Sequence, residues 1–246
     1  MEDHARTPIL AASGIRKRFG ALTVLDDVDF ALGADEAVGI VGPNGAGKTT
    51  LIDILAGVQR PTRGSVRFRD DDVTGRPAAA RCRLGLARAH QIPRPFGGMT
   101  VFENVFVAAS AGGGRRGPSG YDRCLEVLDA CDLLDLANRS AESLGLLHRK
   151  RLELARALAT DPVVVFLDEI GAGLTDDEAA ELVATVQQVH AGGVAIVWIE
   201  HIVHVLVQVV GRLVCMDAGR VIADGDPDAV MADAAVIDAY LGSAAR

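Results

Sequence analysis

The stretch Gly42-Pro43-Asn44-Gly45-Ala46-Gly47-Lys48-Thr49-Thr50 holds the residues best suited to chemistry. Two glycines bracket a short turn, and a lysine and a threonine follow, which is the P-loop pattern. Gly42, Gly45 and Gly47 let the backbone turn tightly and aim N–H groups at phosphate oxygens. A helix opening at once behind them adds the positive end of its dipole. Lys48 can reach the outer phosphates of a nucleotide, and the Thr49 hydroxyl can ligate the Mg²⁺ that travels with them. Short patterns also match by chance, but here the flanks agree. Ala37–Val41 reads as a buried strand entering the turn and Leu51–Ala56 as a helix leaving it. The chemistry implied is binding of a nucleoside triphosphate.

Two further apolar runs end in polar residues. Val163–Leu167 runs into Asp168-Glu169, and Val194–Ile199 runs into Glu200-His201. Both are continuous and β-branched, the pattern of parallel strands covered on both faces. Ligands of open α/β sheets bind beyond the carboxyl ends of the strands. The P-loop, Asp168-Glu169 and His201 each stand at that end of their own strand. Asp168 can hold Mg²⁺ directly or through water. Glu169 can orient the attacking water or take its proton. His201 can donate to the γ-phosphate. The plain alternatives are a helix cap or a solvated turn for Asp168-Glu169 and an ordinary strand-end histidine for His201; the P-loop and the convergence of the three segments favour the site. His201 and His204 have the spacing of a metal pair, but no third ligand accompanies them.

The elements that must position these groups are legible in outline. Ile9–Phe19, Thr23–Leu32 and Ser65–Phe68 read as strands, with a turn at Pro61–Gly64. Val101–Ala109 and Tyr121–Ala137 read as helices, separated by the glycine-rich loop Gly112–Pro118, whose Arg115 and Arg116 read as a solvated tip. Leu152–Ala159 reads as a helix, and Thr175 with Glu178 as a capping box opening another. The fold class expected is α/β, a P-loop NTPase core with a parallel sheet, an N-terminal antiparallel β subdomain and an inserted helical subdomain. The chain reads as one domain over 1–246. Its nucleotide-binding core spans 1–90 and 156–246, and the helical subdomain spans 91–155.

Composition sets limits. The 246 residues are 49% hydrophobic and carry a net charge of −8 with no long basic stretch, which argues against nucleic acid as a partner. Cys82, Cys124, Cys131 and Cys215 lack metal-ligand spacing and read as reduced thiols in the cytoplasm. No apolar run approaches the length of a membrane span. The opening MEDHARTP does not read as a signal peptide.

With these residues assembled, the chain resembles the ATP-binding subunits of ATP-binding-cassette transporters along nearly its whole length. Phe19 in Arg16-Lys17-Arg18-Phe19-Gly20 matches the aromatic that stacks on adenine. Gln91 matches the glutamine that touches Mg²⁺ and sits at the junction with the membrane subunit. Val163–Glu169 matches the Walker B strand with its catalytic glutamate, Ala172–Asp176 the loop facing the opposite subunit, and His201 the switch histidine. Without the resemblance, Gln91 would be a plain polar residue and Phe19 a core aromatic. Ala87–Gln91, Met99–Val105, Trp198–His201 and the tail Asp224–Pro227 with Ala239–Gly242 are similar to importers of branched-chain amino acids and related solutes such as urea. A tail ending at Arg246 is expected to carry no long added regulatory domain.

The resemblance implies ATP and Mg²⁺ as ligands, ATP hydrolysis as the activity, and transmembrane permease subunits as partners. It implies a solute-binding protein as an indirect partner, and a position on the inner face of the cell membrane. One segment departs. Where the family reads Leu-Ser-Gly-Gly-Gln, this chain has Leu144-Gly145-Leu146-Leu147-His148. In the family that segment caps the γ-phosphate bound to the opposite subunit. Gly145 offers no hydroxyl, and Leu147 is expected to put bulk where backbone should approach phosphate. A heterodimer with a second, different ATPase subunit is therefore expected over a homodimer. Ile170 stands where a proline commonly follows the glutamate, with little effect expected. Two other readings stay open. One is a cassette ATPase not tied to transport; the other is an ATP-binding module with weak turnover.

Overall fold

The computed structural model describes residues 7–243. Residues 1–6, with most of the stretch read as no signal peptide, and residues 244–246 lie outside the described residues. Along the chain, β1 (Leu10–Phe19) and β2 (Leu22–Leu32) precede β3 (Ala37–Val41) and α1 (Lys48–Leu55). β4 (Arg63–Phe68), β5 (Asp71–Asp72), α2 (Ala78–Leu84) and β6 (Leu86–Ala89) follow. Three helices come next: α3 (Val101–Ala111), α4 (Pro118–Ala130) and α5 (Leu146–Leu158). β7 (Val164–Asp168), α6 (Asp176–Ala191), β8 (Ala195–Ile199), α7 (Val203–Leu206) and β9 (Arg212–Asp217) return to the α/β pattern. β10 (Arg220–Gly225), α8 (Pro227–Met231) and α9 (Ala234–Ser243) close it.

The strands form two sheets. An antiparallel sheet has the order β2-β1-β4-β5; the second has the order β10-β9-β3-β8-β7-β6 and is parallel except at β10. β3, β7 and β8 are buried along their whole length. Alternate side chains of each enter opposite layers of core, as a period of two demands. Phe166 and Val197 join α1 and the antiparallel sheet, while Val165, Leu167 and Trp198 pack toward α3, α5 and α6. Continuous apolar runs are what a strand covered on both faces requires. The register pairs Ile40 with Ile199 and Ile199 with Asp168, so the carboxyl ends of three strands finish level.

α1 ends where Arg81 takes its last carbonyls. The guanidinium is fully buried and donates to Ile54 O and Leu55 O, each at 2.7 Å. Burial pulls its pKa down to about 10. α3 and α6 both open on capping boxes, Thr100 with Glu103 and Thr175 with Glu178.

The expected helices differ most from the observed ones in two places. The helix expected through Ala137 stops at Ala130, because Asp132 takes a left-handed φ of 53°, and a 3₁₀ turn at Leu134–Leu136 replaces its last part. The helix expected from Leu152 begins at Leu146, six residues earlier and inside the altered segment. Arg115 and Arg116 are both exposed, as a solvated tip requires, and Arg115 also pairs with Asp161.

Candidate active site

β3 delivers the P-loop. Gly42, Gly45 and Gly47 have φ of 139°, 83° and 103°, and a Cβ on Gly42 would run into the Met216 carbonyl. A cavity of about 180 Å³ follows, walled by Val24, Asn44, Gly45, Gly47, Lys48, Thr49, Thr50 and Glu169. Pro43 and Ala46 shape the turn from outside this wall, with the Ala46 N–H donating to Pro43 O at 3.2 Å. Lys48 is buried, and its ammonium donates to Gly42 O at 2.6 Å and to Pro43 O at 3.0 Å. Burial lowers its pKa, and the charges of Glu169 and Asp168 oppose that shift.

A second cavity, about 340 Å³, shares Thr49 with the first and adds Arg88, His90, Gln91, Ile92, Arg94 and Asp168. Thr49, Gln91 and Asp168, the three expected metal ligands, thus share one wall. Asp168 is the last residue of β7 and points to the α1 face, like Val164 and Phe166 before it. One carboxylate oxygen, Oδ2, accepts from Arg88 at 2.6 Å. The other, Oδ1, is buried with no hydrogen-bond partner among the described residues. Hard, anionic and unpaired, it suits a divalent cation.

Glu169 turns the chain out of β7. Its φ of 48° is left-handed, a strained setting for a side chain with a Cβ, and its N–H is fixed to Ile199 O at 2.9 Å. Its carboxylate accepts from His201 Nε2 at 2.9 Å and from the Gln91 side-chain amide. The acceptor-only carboxylate sets the histidine tautomer with the proton on Nε2. Glu169, His201 and Gln91 are therefore one hydrogen-bonded group beside the Lys48 cavity. Phe19 stands apart, half exposed at the end of β1 under the Lys17 ammonium and outside the cavity wall. Ile170 is fully buried.

Three residues of this site escaped the sequence reading. Arg88 lies on the α1 face of β6 and bridges Asp53 of α1 to Asp168. An arginine inside a buried strand needs a carboxylate partner, and that was the available signal. Lys150 of α5 is buried, its pKa lowered by burial, and donates to Gln91 O at 2.6 Å. Glu200 is buried with its pKa raised by burial, and accepts from the Gly171 N–H at 3.3 Å.

The altered segment forms the N-terminus of α5. Gly145 takes the N-cap position with no side-chain cap. Leu147 does not face outward as expected. It is 8% exposed and packs in the core, whereas Leu146 is 44% exposed beside Gly173. The outward bulk comes from the neighbouring leucine, because the first turn of α5 rotates Leu147 under the helix.

Comparison with known proteins agrees with this arrangement. The family described as ABC transporter matches residues 25–172, and that described as branched-chain amino acid ATP-binding cassette transporter matches residues 220–246. The chain is 35% identical to the high-affinity branched-chain amino acid transport ATP-binding protein LivG of Escherichia coli K12, over 96% of this chain and 99% of that one. It is 32% identical to the protein BraF, of the same description, from Pseudomonas aeruginosa, with the same coverage. A nucleotide-free ATP-binding cassette from an ABC transporter superposes with a TM-score of 0.86 at 28% identity, covering 95% of this chain and 98% of the other. The ADP conformation of such a cassette gives 0.86 at 28%, covering 96% and 99%. The P-loop, the strand-end carboxylates and these likenesses make the chain a member of the ABC transporter family, as one of its ATP-hydrolysing cassettes.

Proposed function

We propose that this chain is the energy-coupling ATPase of an importer for branched-chain amino acids or a related small solute. The solute follows from the relatives' activity and from the tail at 220–246. The P-loop N–H groups and Lys48 receive the triphosphate. Thr49, the free oxygen of Asp168 and Gln91 would hold Mg²⁺, which would neutralise charge on the phosphate oxygens. Glu169 orients or deprotonates the attacking water, and His201 donates to the γ-phosphate. Phe19, half exposed at the end of β1, stacks on adenine. The observation that carries this reading is the pairing of Glu169 with Gln91 and His201 on the wall that Lys48 and Thr49 also line.

A nucleotide-binding core of 1–90 with 156–246 and a helical insert of 91–155, joined through α5, is the division that goes with this role. A groove of about 330 Å³ lies between them, with Ala79, Cys82, Ala108 and Arg156 on its walls. His90 and Arg88 border both this groove and the Asp168 cavity, so a permease segment seated there would touch the nucleotide site through them. No helix among the described residues is long and apolar enough to cross a membrane. Attachment to the inner, cytoplasmic face then runs through the permease subunits, and the solute-binding protein is engaged indirectly. Gly145 and Leu146 favour a second, different ATPase subunit as the dimer partner.

Glu169→Gln tests the reading. The variant should retain Mg-ATP on the purified complex while labelled leucine uptake by cells carrying it stops. Release of phosphate at the wild-type rate would remove Glu169 from the mechanism. Purification of the tagged chain without any membrane subunit would remove the transport role.

A further inference from the structure

The geometry points to Tyr240 as a positioning residue of the nucleotide site, through which the C-terminal helix α9 holds the P-loop in its binding shape. The hydroxyl oxygen of Tyr240 accepts a hydrogen bond from the Gly42 N–H at 2.9 Å, across 198 residues of sequence. Gly42 is where β3 leaves its ladder, since Val41, paired with Cys215, is the last strand residue in register with β9. The Gly42 N–H is buried beyond that point, and a buried donor needs an acceptor. Tyr240 supplies it.

Gly42 is then fixed on three sides. Its N–H meets Tyr240, its carbonyl accepts from Lys48 at 2.6 Å, and its Cα faces the Met216 carbonyl so closely that only glycine fits. α9 itself is anchored by Val236, which is fully buried, and Tyr240 packs on the same core. Ile237 and Leu241 point outward. The tail is therefore seated on the body of the protein and reaches the phosphate site through one side-chain oxygen. A P-loop held in place before nucleotide arrives binds more tightly than one that must be ordered on binding.

This inference rests on the reading of the P-loop as the nucleotide site, and the test separates the two. Tyr240→Phe removes the hydroxyl, donor as well as acceptor, and keeps the ring in its packing. In the full chain, with Mg²⁺ and a fluorescent ATP analogue as probe, Kd is expected to rise about 3- to 10-fold, the worth of one hydrogen bond. The ATPase KM should rise by a similar factor, kcat at saturating ATP should stay within about twofold, and Tm should fall by no more than a few degrees, the cost of the stranded Gly42 N–H. Leu241→Ala, at the exposed neighbouring position, should alter none of these. Wild-type Kd in Tyr240→Phe overturns the proposal. So does a lowered Tm at unchanged Kd, which marks the tyrosine as an anchor of α9 and nothing more. Lys48→Ala should abolish binding; if it does not, the phosphate-site reading fails independently of Tyr240.

Discussion

Lys48 carries its charge where water scarcely reaches, and its ammonium donates to the backbone carbonyls of Gly42 and Pro43. Burial holds its pKa below the ordinary 10.5. Phosphate favours the charged form, so nucleotide raises that pKa again. The sign follows. Below the lowered pKa the ammonium is already present and affinity is flat; above it, binding must take up a proton, and affinity falls roughly tenfold per pH unit. ATP affinity measured against pH should begin to fall before 10.5, and Lys48→Arg should move that fall to higher pH. A flat profile up to 10.5 would contradict the burial argument. Arg88 is the other residue whose role is electrostatic. It spans Asp53 and one oxygen of Asp168, and so aims the remaining oxygen. Lysine keeps the charge but cannot bridge two carboxylates with a planar fork. Arg88→Lys should lower kcat by about 10- to 100-fold and raise the Mg²⁺ concentration needed for half-maximal rate. An unchanged Mg²⁺ requirement would show that Asp168 needs no such hold.

At the scale of elements, the two ends of a helix are secured at very different depth. Thr175 caps α6 at the surface, donating to Glu178 and accepting from its N–H at 3.3 Å. Thr175→Ala should cost about 1 kcal/mol in urea unfolding. Arg81 closes α1 from within the core, and its loss strands at least two buried carbonyls and leaves a hole. Arg81→Ala should cost about 3 kcal/mol or more. Equal effects would mean that solvent reaches the end of α1. The capping boxes at Thr175 and Thr100 can be read directly from sequence because the motif is local. Arg81 could not be, because its four acceptors come from α1 and from the turn at Thr74–Arg76. The same limit explains the helix read too long past Ala130, where the apolar spacing continues but the backbone turns left-handed at Asp132.

For the whole molecule the question is what two cassettes do when they meet. The first turn of α5 presents Gly145 and Leu146 outward and hides Leu147. Gly145→Ser with Leu146→Gly should therefore restore a phosphate-capping surface and raise ATP hydrolysis by the isolated chain about tenfold or more. Adding Leu147→Gly should instead destabilise the fold by about 3 kcal/mol or more, because it empties a core position. No gain from the first pair would place the defect elsewhere and remove the argument for an unlike partner. A Gly145→Ser change on its own has open space around it and should do little to stability.

Sequence alone supplied the chemistry proposed for this chain. The P-loop, Asp168, Glu169 and His201 are each announced by their own strand, since a buried parallel strand ending in a polar residue aims that residue at the edge where ligands bind. These signals are local, and a chain records local rules in neighbouring residues. Tertiary structure alone decided which partners those groups keep. Strand order brought β6 beside β7 and so set Arg88 against Asp168, α5 carried Lys150 to Gln91, the rotation of one helical turn exchanged the roles of Leu146 and Leu147, and α9 returned Tyr240 to Gly42. Such pairings join segments far apart in sequence, and only the packing of the finished core fixes which buried donor meets which buried acceptor.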